Sequence, residues 1–184
     1  MSSKPFTQVV DESASMDKIP KWFSGARLNF AENILRFCDD KIAIYALREG
    51  LKEFKTISFK ELKENVIKCA ISLRKSGVEA GDKVALYAPN CIESVIIALG
   101  AAAIGAVITC ASPDFGVTGV LERLAQTNPR ILFTVNAVFY NGKVHEHSSK
   151  ASQVLKELPS VEKVIVLNFI SSARLDCQQI HKNW

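Results

Sequence analysis

The run Val95 to Ile108, VIIALGAAAIGAVI, constrains the fold more than any other stretch of this chain. It contains no charge, so water is a poor solvent for it, and it is shorter than the roughly 18 residues that suggest a membrane-spanning helix. Glu93 stands just before it, and Gly100 and Gly105 interrupt it. The run therefore reads as a buried helix that turns at Gly105 into a buried strand, Ala106 to Cys110. A covered strand fed by a covered helix requires a sheet with helices packed on it.

The rest of the chain repeats that alternation. Lys41 to Arg48 places Ile42, Ile44 and Ala46 on alternate positions and predicts a strand. Glu49-Gly50 makes a turn, and Glu53 to Ile57 returns as the hairpin partner. Asn29 with Glu32, and Ser58 with Glu61, have the spacing of capping boxes. The first opens a short helix through Phe37. The second opens a longer one, with Phe59, Leu62, Val66, Ala70 and Leu73 on one face and Gly77 at its end. Lys83 to Ala88 is a buried strand, followed by Pro89 and by Asn90 as the next N-cap. A helix over Val117 to Gln126, a strand Ile131 to Val135, a polar stretch, a helix near Ser152 to Leu158 and a strand Lys163 to Leu167 complete the series. Strands alternating with helices imply right-handed crossovers and an α/β fold: an open, mainly parallel sheet with helices on both faces. The chain divides into an N-terminal segment (1–57), an α/β portion (58–167) and an irregular tail (168–184).

Composition narrows the function classes. With 23 basic and 19 acidic residues the net charge is +4, and the cations gather on no stripe, so nucleic acid is not an expected partner. Hydrophobic residues at 48% and charged ones at 23% describe a globular chain. Five cysteines (Cys38, Cys69, Cys91, Cys110, Cys177) form no C-x-x-C pair, and most sit in apolar runs, reading as small buried hydrophobes. Met1 to Glu12 has no signal-peptide core. No membrane partner and a reducing, cytosolic setting are expected.

Open parallel sheets bind ligands beyond the carboxyl ends of their strands. Three loops lie there: Ala88 to Asn90, Ala111 to Gly116, and Asn136 to Lys143. None carries G-x-G-x-x-G or a G-x-x-x-x-G-K-[ST] phosphate loop. Gly100 and Gly105 read as close-packing residues. His145 and His147 form an H-x-H pair without a third ligand, so they read as exposed loop residues and no metal site is assigned. Asp114 has no His or nucleophile at a defined spacing, so no catalytic residue is assigned.

Several motifs carry a family resemblance. The segment Pro20 to Asn33, PKWFSGARLNFAEN, resembles the N-terminal motif of acetyl- and acetoacetyl-CoA synthetases. Ser58 to Leu62, Gly81 to Ala85, Ala88 to Asn90 and Ile104 to Val107 resemble the wider adenylate-forming superfamily. Ser112 to Val117 and Ala137 to Lys143 are similar to the acetoacetyl-CoA synthetase branch. The likeness runs from about Phe6 to Leu167. It implies the N-terminal part of the adenylate-forming fold, and an acid–thiol ligase that joins acetoacetate to CoA through an acyl-adenylate, using ATP and Mg2+.

The same resemblance implies that the Ser/Thr/Gly-rich loop ending in Lys, the adenine- and ribose-binding motifs and the catalytic Lys belong to parts of the family outside these residues. The chain alone is therefore expected to be inactive. What it implies here is part of a CoA site: Ser112, Pro113, Asp114 and Phe115 in one loop, with Lys143 and Tyr140 where relatives carry two arginines. Lys143 reads equally as a phosphate contact and as a solvated lysine after an Asn-Gly turn. Asn90 reads as a cap, and Trp22 and Phe23 as docking anchors. The alternatives are a non-catalytic CoA- or nucleotide-binding module, and an interaction or structural product with no ligand that self-associates through an exposed apolar face.

Overall fold

A computed structural model describes residues 3–49 and 54–173. Among these residues the helices and strands run in chain order: β1 (Gln8–Val10), β2 (Trp22–Ser24), α1 (Phe30–Ile34), β3 (Ile42–Ala46), β4 (Lys55–Ser58), α2 (Phe59–Lys75), β5 (Lys83–Tyr87), α3 (Ile92–Ala103), β6 (Val107–Ala111), α4 (Val117–Leu124), β7 (Ile131–Val135), β8 (Ala137–Tyr140), β9 (Lys143–Glu146), α5 (Ser148–Lys156) and β10 (Lys163–Leu167). Four strands form one all-parallel sheet in the order β10-β7-β5-β6. The open α/β sheet expected from the alternation is present.

Strand alternation sorts the core into two faces. Val84 and Leu86 of β5, with Ile131, Phe133 and Val135 of β7, pack under α2 and α3. Ala85, Tyr87 and Leu132 point to the opposite face, against Val120 and Leu124 of α4 and Ala151, Val154 and Leu155 of α5. Burial on both faces makes β7 apolar throughout, apart from Thr134. Outside this sandwich, α1 and the β3–β4 hairpin pack through Ala31, Leu35 and Ile57 on Leu62, Val66 and Leu99 of α2 and α3.

The helix ends follow local chemistry. Ser58 and Glu61 form a reciprocal capping box at the start of α2. At its end, Gly77 has φ +85°, its amide donates to Arg74 O and the Val78 amide to Leu73 O. That is the Schellman arrangement, and α3 repeats it: Gly105 has φ +79°, with its amide on Ala102 O and the Ala106 amide on Ala101 O. Gly105 is thus first a left-handed helix stop. Asn29 caps α1 through Glu32 N and also donates Nδ2 to Ala102 O and Ala103 O, tying that cap to the end of α3.

Several expectations are corrected. The N-cap of α3 is Cys91, not Asn90, because Cys91 is the extended residue before the first helical one, Ile92. Among the described residues the expected buried strand after Gly105 is an edge strand, paired with β5 alone, and only Ala111 in it is buried. Cys38 and Cys110 are exposed and Cys69 and Cys91 half-buried, so none of the four is a fully buried hydrophobe; Cys177 lies outside the described residues. Helix α1 stops at Ile34 rather than Phe37, α4 gives way to a 3-10 turn at Ala125, and α5 begins at Ser148, four residues before the expected start. Trp22 and Phe23 lie in β2, paired with β1, and both are more than half exposed. Gly50, Glu53 and residues 174–184 lie outside the described residues.

At the amino ends of three adjacent strands, Arg130 donates to Asp82 Oδ2 at 2.6 Å, to Gly77 O at 2.8 Å and to both carboxylate oxygens of Glu162 at 2.8 and 2.9 Å. The Glu79 amide and the guanidinium hold the Asp82 carboxyl below the usual range, and Arg130 does the same to Glu162. Folded-state pKa values below the unfolded ones stabilise above the unfolded pKa and cease to do so as pH falls through the folded one. Arg130→Met is therefore expected to lower Tm at pH 7, and the difference from wild type should shrink once both carboxylates are protonated. Thermal melts at pH 7 and pH 2.5 check this.

Candidate functional site: a cleft at the carboxyl ends of the strands

From β5 the chain leaves through α3 on one face, and from β7 through α5 on the other. Since β5 and β7 are neighbours, the crevice beyond their carboxyl ends is a switch point of the kind where open sheets bind ligands. A cleft lies there in two lobes of about 790 and 530 Å³, both walled by Pro113, Asp114, Val138 and Tyr140. The larger lobe continues along Ala88, Asn90, Cys91 and Ser112, the smaller along His145, His147 and Lys150. A separate groove of about 630 Å³ between α1 and α2, around Ile67 and Ile71, lies away from the strand ends.

The loop after β6 is fixed from below. Tyr87, wholly buried at the end of β5, donates its hydroxyl to Phe115 O at 3.0 Å. Lys150, in the first turn of α5, donates Nζ to Pro113 O at 3.2 Å. Ser112 Oγ donates to Asp114 Oδ2 at 3.0 Å, closing the loop on itself. Burial, and then the Asp114 charge, push the Tyr87 hydroxyl above its ordinary pKa, so it remains a donor.

The opposite wall is a hairpin where a polar loop was expected. Asn136 is buried, but Ala137–Tyr140 and Lys143–Glu146 pair antiparallel around Asn141 (φ +50°) and Gly142 (φ +74°). Asn-Gly with two consecutive positive φ values is the favoured two-residue hairpin turn, and that dipeptide was the signal available in the sequence. Asn136 ties this wall to the end of β10. Its Oδ1 accepts the Phe169 and Ile170 amides at 2.9 and 3.1 Å, and its Nδ2 donates to Ile170 O.

Ser112, Pro113, Asp114 and Tyr140 are brought together on the cleft wall. Phe115 and Lys143 are not. The Phe115 ring lies under the Arg123 guanidinium, 4.3 Å away, and Lys143 stands exposed across the turn from Tyr140. His147 is a larger correction. It is 2% exposed, not a loop surface residue, and its ring meets Tyr87 edge-on with centroids 4.3 Å apart. Its Nε2 has no hydrogen-bond partner, and burial, with Lys150 adding to it, pushes its pKa down to about 4. His145 is exposed, with Nε2 3.2 Å from Tyr140 O. Lys150 and Tyr87 were missed in the sequence because nothing local marks them; only the packing of α5 against β5 brings them under the loop.

The smaller lobe sets Lys150 beside Asp114 and Glu146, while Lys143 stands exposed on the hairpin. A Mg2+ ion asks for several oxygen ligands in one place, and among the described residues no group of three or more Asp, Glu, His or Cys side chains stands together. No step through a metal is assigned to these residues. Among the same residues no helix is long and apolar enough to cross a membrane.

A parallel sheet of this order with a cleft at its switch point defines an open α/β domain, and residues 30–184 match the model of the family described as AMP-binding enzyme. The chain belongs to that family. It is similar to the acetoacetyl-CoA synthetase of Gallus gallus, at 47% identity over 171 residues, covering 92% of this chain and 26% of that protein. It is 39% identical over 180 residues to a malonamoyl-CoA synthetase of Penicillium aethiopicum, covering 95% of this chain and 25% of that protein. The solved acetoacetyl-CoA synthetase from Streptomyces lividans superposes with a TM-score of 0.88 at 35% identity, over 96% of this chain and 27% of that one. The chain thus spans about a quarter of the length of the relatives it matches.

Proposed function

We propose that these residues supply the CoA-facing part of an acetoacetate–CoA ligase, which converts acetoacetate, ATP and CoA to acetoacetyl-CoA, AMP and diphosphate in the cytosol. The observation that carries this reading is the cleft at the β5/β7 switch point, walled by Ser112, Pro113, Asp114 and Tyr140. Its assignment to CoA follows from the likeness to CoA ligases. In this reading the nucleotide end of CoA lies along the β6 loop and the β8–β9 hairpin, with Tyr140 offering a ring for stacking and Lys143 a point charge for a phosphate.

Adenylation needs preorganised donors and cations around the transferring group. The sequence contains no phosphate loop to supply them, so the 184-residue chain is expected to form no acetoacetyl-CoA from ATP, Mg2+, acetoacetate and CoA. Measurable thioester in that assay would overturn the inactivity. Saturable CoA binding, weakened about 3- to 10-fold by Lys143→Ala in calorimetry, is the positive expectation. Unaltered affinity in that variant would make Lys143 a solvated lysine.

A second reading is favoured by a separate observation. Ile19, Trp22, Leu28, Phe30, Tyr45 and Phe54 are each more than half exposed. Apolar exposure of this kind marks interaction surfaces, and self-association through it is the corresponding proposal. A concentration-independent monomer in sedimentation velocity would exclude it.

A further inference from the structure

The β8–β9 hairpin pairs with no strand of the main sheet. A two-stranded hairpin is marginal by itself, so its position depends on what else holds it. At its base, the His147 amide donates to Asn136 O at 2.9 Å. At its tip, both turn amides converge on one carboxylate from far away in sequence: Asn141 N donates to Glu49 Oε2 at 3.0 Å and Gly142 N to Glu49 Oε1 at 2.8 Å.

Glu49 is itself anchored. Its neighbour Arg48, just past the end of β3, donates Nη1 to Phe169 O at 2.6 Å, and the guanidinium lies 4.8 Å over the Phe169 ring. Phe169 N is in turn bound by Asn136. Arg48 and Glu49, two and three residues past β3, therefore strap the segment just after β10 to the hairpin tip. Hydrogen bonds to a carboxylate are roughly twice as strong as neutral ones, and two of them to adjacent amides fix the turn's orientation.

We propose that Glu49 is a positioning residue: its carboxylate holds the Asn141–Gly142 turn and so sets where Tyr140 stands on the cleft wall and where Lys143 stands across the turn from it. This rests on the reading that the cleft takes CoA. It assigns Glu49, far from the motifs of the cleft, a share in the ligand affinity of residues it does not itself replace. A rival physical account makes the opposite prediction. If Glu49 acted only as a negative charge near an anion site, its removal would tighten CoA binding.

The test uses the 184-residue chain, with CoA as the calorimetric probe and amide hydrogen exchange read by NMR. Glu49→Ala is expected to weaken CoA binding about 5- to 10-fold and to speed exchange at Asn141 and Gly142 while the amides of β5 and β7 stay protected. Glu49→Gln keeps one acceptor oxygen and should fall between wild type and Glu49→Ala. In a Lys143→Ala background the same Glu49→Ala substitution should cost less, because part of its effect passes through Lys143; a purely structural role would not give that coupling. Unaltered or tighter CoA binding by Glu49→Ala overturns the positioning role. Unaltered exchange at Asn141 and Gly142 overturns the hold on the turn. If the wild-type chain binds no CoA, the reading of the cleft and the affinity role both fall, and the exchange result decides whether Glu49 holds the turn.

Discussion

Lowering the pH from 7 to 4 is expected to remove about 3 kcal/mol of folding stability through His147 alone. In the folded chain His147 is buried against Tyr87, and its pKa is pushed down to about 4 from the ordinary 6.5. Between those values the unfolded chain binds a proton that the folded chain refuses. The contribution is thus complete above about pH 6.5 and is lost as pH falls toward 4. Desolvation is the main cause and the Lys150 ammonium the second, both opposing an imidazolium. Other groups titrate in the same range, so the comparison is with His147→Phe, which keeps an aromatic edge against Tyr87. Urea titrations at pH 7 and pH 4.5 should give a smaller loss for the variant. Equal losses would mean that His147 opens to solvent before it protonates.

Gly100→Ala is expected to destabilise the fold by about 1–2 kcal/mol, although alanine is the better helix former by about 1 kcal/mol. A Cβ at Gly100 would lie 2.8 Å from Cys69 Sγ and 3.1 Å from Cys69 Cβ, where α3 meets α2. Overpacking there forces two helices apart, and Gly100→Val should cost more. Replacing Cys69 by Ala removes the nearer atom, so Gly100→Ala should cost less in that background, a coupling of the kind contacting residues give. Chemical denaturation of the four chains closes the cycle. A stabilised Gly100→Ala variant would show that α2 and α3 have room to spare.

The alternation of strand and helix was legible because β5, β7 and β10 are bounded by turns and filled with apolar residues, and the capping box at Ser58 marks α2 by local chemistry. The β6 loop was placed at the carboxyl end of the sheet by that alternation alone. The β8–β9 hairpin was missed because its strands are short and β9 is wholly exposed, leaving no burial pattern to read, only Asn-Gly. His145 and His147 look alike in sequence, yet one is exposed and the other buried, because the second stands at the N-cap of α5 and packs on Tyr87.

The α/β alternation, the stops at Gly77 and Gly105, and the loop that carries Ser112, Pro113 and Asp114 follow from local residue patterns. Each depends on residues within a few positions of one another. The tertiary structure decided the rest: the order β10-β7-β5-β6 that makes a switch point, the edge position of β6, and the burial of His147. It also decided the reach of Glu49 to the turn at Asn141 and Gly142. The run from Val95 to Ile108 holds both kinds of information. That it must be covered is written in its own side chains; that Gly100 is required by Cys69 is written only in the approach of α3 to α2.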